Sequence, residues 1–388
     1  MTDPSPITNR WLDVTPIPIA VEHFTIFRGR LGEAYSHHPQ IVANAGRLIA
    51  SWSLGIRNED DPGQKMVMAV SDDFGETWSR PWRVADKRPG IYADAVITAE
   101  GIRIYGRNLV AYYGVYEYLA EALVPHSHPP TQLPGGKGDW IIGNPQSFGE
   151  HTEIIVSDDC GLNWSDPVSE IDRFIPNLKP SQLESGRWII PGDIAFPYSD
   201  DPAGVKSWTF TGIPDLPEDY RDAPGRFQLE ARRRGSPIAY CEGSFFQTDD
   251  GVIHMMLRTD SERGRLAVTE SRDDGATWSE PVLTDYTDCQ CRFEFGRLPD
   301  GRFFGLSCPE PGSPRTPLVL ATSDDGVVFD RHYILGDEPA TRLRIPGDHK
   351  GGRYGYPSLA IAEDTAFVIY SINKEDVAVG RFPLRALT

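Results

Sequence analysis

Two adjacent histidines, His37 and His38, stand with Pro39 at the start of an alternating apolar stretch, QIVANAGRLIASWS. An imidazole titrates near neutral pH, so a histidine there can take or give a proton. Two carboxylates could share that work: Glu242 in CEGSFFQ, and Glu59 in the run Arg57-Asn58-Glu59-Asp60-Asp61. Acid–base cleavage of an acetal bond usually needs two such groups. Arg258, Arg292 and Arg353 could neutralise an anion that develops beside them, and Tyr354 or Tyr356 could protonate a leaving oxygen. Asn373 and Lys374 follow an apolar strand and could line the same space, as could Arg57.

Each residue also has a structural use. Neighbours on a strand face opposite ways, which predicts that one of His37 and His38 serves the core. Glu242 and Arg258 can pair as a buried ion bridge, and Tyr356 can be packing. The run 57–61 can be a solvated turn, and Arg232-Arg233-Arg234 reads as a surface run. His126 and His128 have a metal-like spacing with no third ligand near them, so no metal ligand is assigned.

Positioning such residues needs a rigid frame, and the repeats supply one. SDDFGETWS begins at Ser71, SDDCGLNWS at Ser157 and SRDDGATWS at Ser271, with a shortened copy, SDDGVVFD, at Ser323. Each follows an alternating strand: MVMAV, TEIIV, RLAVTE and LVLAT. The pattern Ser-x-Asp-x-Gly-x-x-Trp predicts a hairpin in which Asp bonds backbone N–H groups, Gly takes φ > 0 and Trp packs beneath. Asp73, Asp159 and Asp273 are therefore structural. Paired strands joined by polar turns recur in SFFQTDDGVIHMMLR, EFGRLPDGRFFGLS and SLAIAEDTAFVIYS. PSQLESGRWIIPGDIAF starts a unit whose box is lost.

These units predict an all-β chain, a β-propeller of six or seven blades with Asp-box hairpins, spanning 1–388 as a single domain. The strand near VEHFTIFRG is expected to pair after DVAVGRFPL and close the ring, which removes exposed edges. An insertion loop is expected over about 112–150, with YYGVYEYLAEAL as a short amphipathic helix.

Composition narrows the partners. The net charge of −18 argues against nucleic acid and anionic membranes. It leaves room for an acidic sugar, because a few arginines act locally. Five cysteines, an odd number with no paired CxxC, fit a reducing compartment. With no apolar leader, the expected location is the cytoplasm. No cofactor is required by the motifs; Ca²⁺ in a central channel is compatible with them.

The boxes resemble those of the sialidase superfamily over most of the chain. That resemblance implies a mid-chain Glu with an Arg sixteen residues later, matched by Glu242 and Arg258, and a nucleophilic Tyr near the C-terminus, matched by Tyr356. It also implies an Arg-Ile-Pro in the first blade, where this chain has His37-His38-Pro39. The same stretch, with SWSLGIRNEDDPGQ and KGGRYGYPSLAI…YSINKEDV, resembles propeller enzymes that act on rhamnose linked to glucuronic acid through a histidine. Because His37 takes the arginine position, it is the favoured catalytic member of the pair. The implied activity is cleavage of a terminal sugar linked to an acidic sugar, by elimination or hydrolysis. In elimination, a base removes the C5 proton of the uronate while cations neutralise its carboxylate. An exo-sialidase with a third arginine from Arg28 or Arg57 is the first rival. The second is a non-catalytic propeller that binds glycans or proteins.

Overall fold

The computed structural model describes residues 6–44, 46–59, 63–84, 96–105, 108–118, 148–172, 174–214, 240–259 and 264–388. Two strands, β1 (Ile17–Pro18) and β2 (Glu22–Phe27), come first and join the last two sheets. The first blade is β3 (Tyr35–Asn44), β4 (Arg47–Gly55), β5 (Lys65–Ser71) and β6 (Trp82–Arg83). The second is β7 (Val96–Tyr105), β8 (Asn108–Tyr118), β9 (Phe148–Ser157) and β10 (Ser169–Asp172). The third is β11 (Ser181–Gln182), β12 (Trp188–Ile189), β13 (Tyr198–Ser199) and β14 (Trp208–Thr209). The fourth is β15 (Tyr240–Gln247), β16 (Ile253–Thr259), β17 (Arg265–Ser271) and β18 (Val282–Thr287). The fifth is β19 (Glu294–Arg297), β20 (Phe303–Ser307), β21 (Leu318–Ser323) and β22 (Arg331–Gly336), with β1 added in parallel at its outer edge. The sixth is β23 (Gly355–Ala362), β24 (Thr365–Ile372) and β25 (Asp376–Pro383), completed by β2. There are six blades, and β2 pairs antiparallel with β25 as the closing strand.

Both faces of the blade strands are buried, because each sheet stacks on the next. Met66 and Met68 of the first blade pack with Tyr113, Val115 and Trp164 of the second. Tyr112 and Ile154 of the second join Ile189 and Phe196 of the third and Met255 and Trp278 of the fourth. Phe246 and Val268 of the fourth meet Phe295 and Phe303 of the fifth. Leu306 and Leu320 of the fifth meet Val368 and Tyr370 of the sixth. Phe367 and Val379 of the sixth return to Trp52 and Leu54 of the first. The apolar layers therefore run all the way round, and this closure is what removes the sheet edges.

The Asp boxes have the geometry their residues dictate. Ser71 Oγ donates to Asp73 Oδ1 at 2.8 Å and accepts from Gly75 N at 2.9 Å; Thr77 N donates to Asp73 Oδ1 at 2.9 Å. Gly75, Gly161, Gly275 and Gly326 all have positive φ. Hydrogen bonds from Thr77 and Ser71 pull the exposed Asp73 carboxyl down to about 2, against a small opposing effect of burial.

Two expectations are corrected. The segment from Tyr112 to Tyr118 is strand, not helix: Tyr112 pairs with Ile154 and Tyr116 with Val96, and pairing on both sides overrides the helical periodicity. Residues 119–147, and with them His126 and His128, lie outside the described residues, as do Asp60, Asp61 and Arg232 to Arg234. The third blade does keep a box. Asp201 N donates to Ser199 Oγ at 3.0 Å and Val205 N to Asp201 Oδ2 at 2.9 Å, the contacts seen at Ser71 and Asp73. One extra residue before Gly204 and one between Gly204 and Trp208 hide the pattern from a spacing search.

Candidate functional site

The inner strands of the first, fourth and sixth blades share a local irregularity. Each breaks its register in its first residues: between His37 and Gln40 in β3, Cys241 and Gly243 in β15, and Gly355 and Ser358 in β23. Each break carries a non-glycine residue with left-handed backbone: His38 at φ 52°, Glu242 at 47° and Tyr356 at 54°. Such residues cost roughly 1–3 kcal/mol each and gather where a side chain must be re-aimed. Here three separate breaks aim their side chains at one another.

Tyr356 is the centre. Its hydroxyl donates to Glu242 Oε1, while Arg258 Nη1 donates to Glu242 Oε2 and lies 3.3 Å from the Tyr356 hydroxyl. The Glu242 backbone N–H is held by Asp193 Oδ1 at 3.1 Å, and Asn177 Nδ2 donates to the same oxygen at 3.1 Å. His37 lies on the Tyr356 ring with centroids 3.9 Å apart, and His38 follows at 5.1 Å. The two imidazoles are 4.7 Å apart. They do not face opposite ways: the bulge and the positive φ of His38 break the alternation, which corrects the expectation that one of them serves the core.

Cations surround the ring. Arg292 is 4.7 Å from the Tyr356 centroid and Arg315 5.3 Å. Arg292, almost fully buried, is fixed by Nη1 donating to Asn177 O at 2.6 Å and Nη2 to Pro39 O at 3.3 Å. Lys374 places Nζ 2.7 Å from both oxygens of Glu59, and Tyr35 donates to Glu59 at 2.9 Å. Burial opposes ionisation of Glu59, but Lys374, His38 and Tyr35 overcome it and hold the carboxyl at about 2.

The same surroundings set the protonation of the centre. Burial, then the Lys374 charge, His38 and the guanidiniums of Arg315 and Arg292, push His37 well below the usual imidazole range. Burial and Arg292 do the same to His38, against the pull of Glu59. Both rings are neutral at pH 7. Burial and the neighbouring Glu242 charge push the Tyr356 phenol well above its usual value, against Arg258 and Arg315. The phenol keeps its proton until something takes it.

Four sequence candidates lie elsewhere. Arg57 sends Nε to Pro346 O at 2.8 Å and is exposed. Tyr354 is buried in the core, its hydroxyl donating to Glu338 and its ring 5.0 Å from Tyr370; Arg353 stacks over it and lies 3.7 Å from Glu338. Asn373 donates to Thr341 Oγ1 at 2.9 Å. Arg28 is exposed, so neither Arg28 nor Arg57 supplies a third guanidinium. Arg315 does, and sequence reasoning missed it. It sits in the loop GSPRTP, whose only signal is an isolated arginine between prolines.

Among the described residues, two groups of side chains have ligand atoms close enough to share a metal ion: His37, His38 and Glu59, and His151, Glu153 and Glu170 in the second blade. In the first, the Lys374 ammonium already neutralises Glu59, and a cation would enter beside Arg292 and Arg315. An anion suits that space better. For the Ca²⁺ considered for the channel, the inner-strand carboxylate Glu294 has Lys179 Nζ 3.4 Å away as its cation.

The fold is one that known proteins share. The BNR repeat-like domain family matches residues 134–369, and the chain belongs to that family. Many solved structures share the fold, and three of them illustrate the likeness. A protein of unknown function from Dyadobacter fermentans aligns with a TM-score of 0.62 at 14% identity, covering 93% of this chain and 98% of that one. The intramolecular trans-sialidase from Ruminococcus gnavus, in complex with oseltamivir carboxylate, gives 0.61 at 15%, covering 93% and 97%. Trypanosoma rangeli sialidase, in complex with the inhibitor DANA, gives 0.62 at 13%; 94% of this chain is covered, but only 60% of that enzyme. No curated protein sequence matches this chain.

Proposed function

We propose that this propeller cleaves a glycosidic bond at an acidic sugar, and that the sugar pair is rhamnosyl-glucuronate. The observation that carries the reading is the convergence of Glu242, Arg258, Tyr356, His37, Arg292 and Arg315 from different blades. A non-catalytic binding module has no need of left-handed backbone at three inner strands to bring an acid, a phenol and an imidazole together.

In this reading the guanidiniums of Arg258, Arg292 and Arg315 grip the sugar carboxylate. Neutral His37 removes the C5 proton, and the electron pair forms the C4–C5 double bond as the C4–O bond breaks. Tyr356 returns a proton to the departing oxygen, while the arginines hold the charge that builds on the carboxylate. The HHP segment and the KGGRYGYPSLAI run support the substrate choice by resemblance.

One observation favours a second mechanism. Glu242 accepts the Tyr356 proton directly, with Arg258 beside both. Glu242 could then activate Tyr356 as a nucleophile in a hydrolase, as the sialidase resemblance implies.

Product analysis separates them. A rhamnosyl-glucuronate oligosaccharide is incubated with wild type, His37→Ala and Tyr356→Phe, and products are read by mass and ultraviolet absorbance. Elimination gives an unsaturated uronate lighter by one water than the hydrolytic product, and His37→Ala abolishes it. Hydrolysis gives a saturated product that depends on Tyr356. If neither this substrate nor a sialoside is cleaved by wild type, the glycan-cleavage reading is wrong.

A further inference from the structure

The nitrogen of His37 that does the chemistry can be identified from the hydrogen bonds behind the ring. His37 Nδ1 lies 3.0 Å from Ser371 Oγ. The same hydroxyl lies 3.2 Å from the carbonyl oxygen of Gly355. Ser371 and His37 are both fully buried, so no water competes for these contacts.

A serine hydroxyl has one proton, and a carbonyl oxygen only accepts. If Ser371 gave its proton to His37 Nδ1, two acceptor oxygens would face each other at 3.2 Å with no hydrogen between them. If it gives the proton to Gly355 O, both contacts are satisfied, and the Ser371 lone pair accepts from Nδ1–H. The neutral state of His37 then leaves Nε2 bare. Nε2 is buried and without a hydrogen-bond partner among the described residues. In most folds a buried, unpaired acceptor is a cost. Here it belongs to a ring lying on Tyr356, a tyrosine ring that Arg292 and Arg315 also flank.

We infer that Ser371 is a positioning residue that locks His37 as the Nδ1–H tautomer, so that Nε2 is the atom that accepts the substrate proton. The inference rests on the reading of His37 as the base. Gly355 completes the device: a Cβ there would lie 2.5 Å from Ser371 Oγ and 3.3 Å from His37 Cε1, so only glycine lets the hydroxyl reach both partners. Ser371 itself stands in β24 opposite Gly355, which fixes the hydroxyl by strand pairing and not by a loop.

The tautomer can be observed without any substrate. The full-length protein is labelled with ¹⁵N-histidine, and long-range ¹H–¹⁵N correlations are recorded at neutral pH. His37 is assigned by the signals lost in His37→Gln, or in His37→Asn should the first variant fold poorly. Wild type is expected to show His37 protonated at Nδ1 and bare at Nε2. Ser371→Ala is expected to move it toward the Nε2–H form. It should also lower kcat on the cleaved oligosaccharide by about tenfold to a hundredfold with little change in KM, since a misplaced proton on a catalytic histidine removes most of its function. Ser371→Thr keeps the hydroxyl and should restore both the tautomer and kcat. Nε2–H or imidazolium in wild type overturns the inference, as does a tautomer unchanged by Ser371→Ala. If the tautomer behaves as stated and no glycan is cleaved, the positioning role of Ser371 stands and the glycan-cleavage reading falls.

Discussion

The behaviour of single residues in this protein is governed by what burial does to charge. Near Tyr356, burial first and then the Lys374 and arginine charges keep His37 and His38 neutral, while Lys374 overcomes burial to keep Glu59 ionised, although the chain as a whole carries −18. Asp288 is the opposite case. Burial, with Cys291 and Glu242 nearby, pushes its carboxyl up from 3.8 to about 8, against Arg258 and the Gln290 N–H. The folded protein binds this proton more tightly than the unfolded chain. The contribution is therefore complete below about pH 4 and is lost as pH rises toward about 8. Asp288→Asn, which mimics the protonated acid, should have a smaller fall in thermal midpoint between pH 5 and pH 8 than wild type. An identical fall in both proteins would show that Asp288 is ionised throughout. The chemistry-bearing residues were partly legible in the sequence. Glu242 and Arg258 stand sixteen residues apart as the sialidase resemblance implies, Tyr356 stands near the C-terminus where it implies a tyrosine, and the His37-His38 pair opens a strand. Arg315 and Ser371 were not legible. The first is an isolated arginine in a loop, and the second is one serine near the end of an apolar strand. Only the three-dimensional neighbourhood gives either a role.

At the scale of the element, the strand irregularities decide more than the strands do. Regular alternation predicts that His37 and His38 diverge, and a two-residue bulge reverses that outcome. A bulge leaves little trace in a sequence, because many residue types can occupy it; Pro39 and Pro357, which cannot donate to the ladder, are the traces left at two of the three breaks. The hairpins, by contrast, were readable because their geometry demands particular residues. Gly275 (φ 81°) and Gly251 (φ 84°) illustrate the difference between conformation and space. A Cβ at Gly251 meets nothing within 4 Å, whereas one at Gly275 would lie 2.6 Å from Ile189 Cδ1 in the next blade. Gly251→Ala should cost about 1–2 kcal/mol from backbone strain alone. Gly275→Ala should cost more, because the blade contact must also yield. Urea denaturation of the two variants measures this directly. Equal costs would mean that the Asp-box hairpin is free to shift away from its neighbour.

For the whole molecule, the ring matters because the site belongs to no single blade. His37 comes from the first, Glu242 and Arg258 from the fourth, and Tyr356 from the sixth. Anything that opens the ring separates them. The closing strand β2 brings buried Ile26 and Phe27 against Val377 and Val379. Starting the chain at Arg28 should expose the edge of β25, lower the thermal midpoint by several degrees and abolish activity together with it. Retained activity with an unchanged midpoint would show that closure by β2 is dispensable. The propeller architecture and the closing strand follow from repeats that the sequence displays openly, whereas the choice of six blades over seven does not. The hidden box at Ser199 and the strand at Tyr112 do not, because insertions and pairing partners far along the chain determine them.

The central claim is that a cluster of arginines presents the carboxylate of an acidic sugar to His37 and Tyr356. Turnover of a rhamnosyl-glucuronate oligosaccharide should be compared with turnover of the same compound after its carboxyl groups are reduced to alcohols. The account predicts that wild type cleaves the acid and leaves the reduced compound intact. Equal cleavage of both, or cleavage of neither, would contradict it.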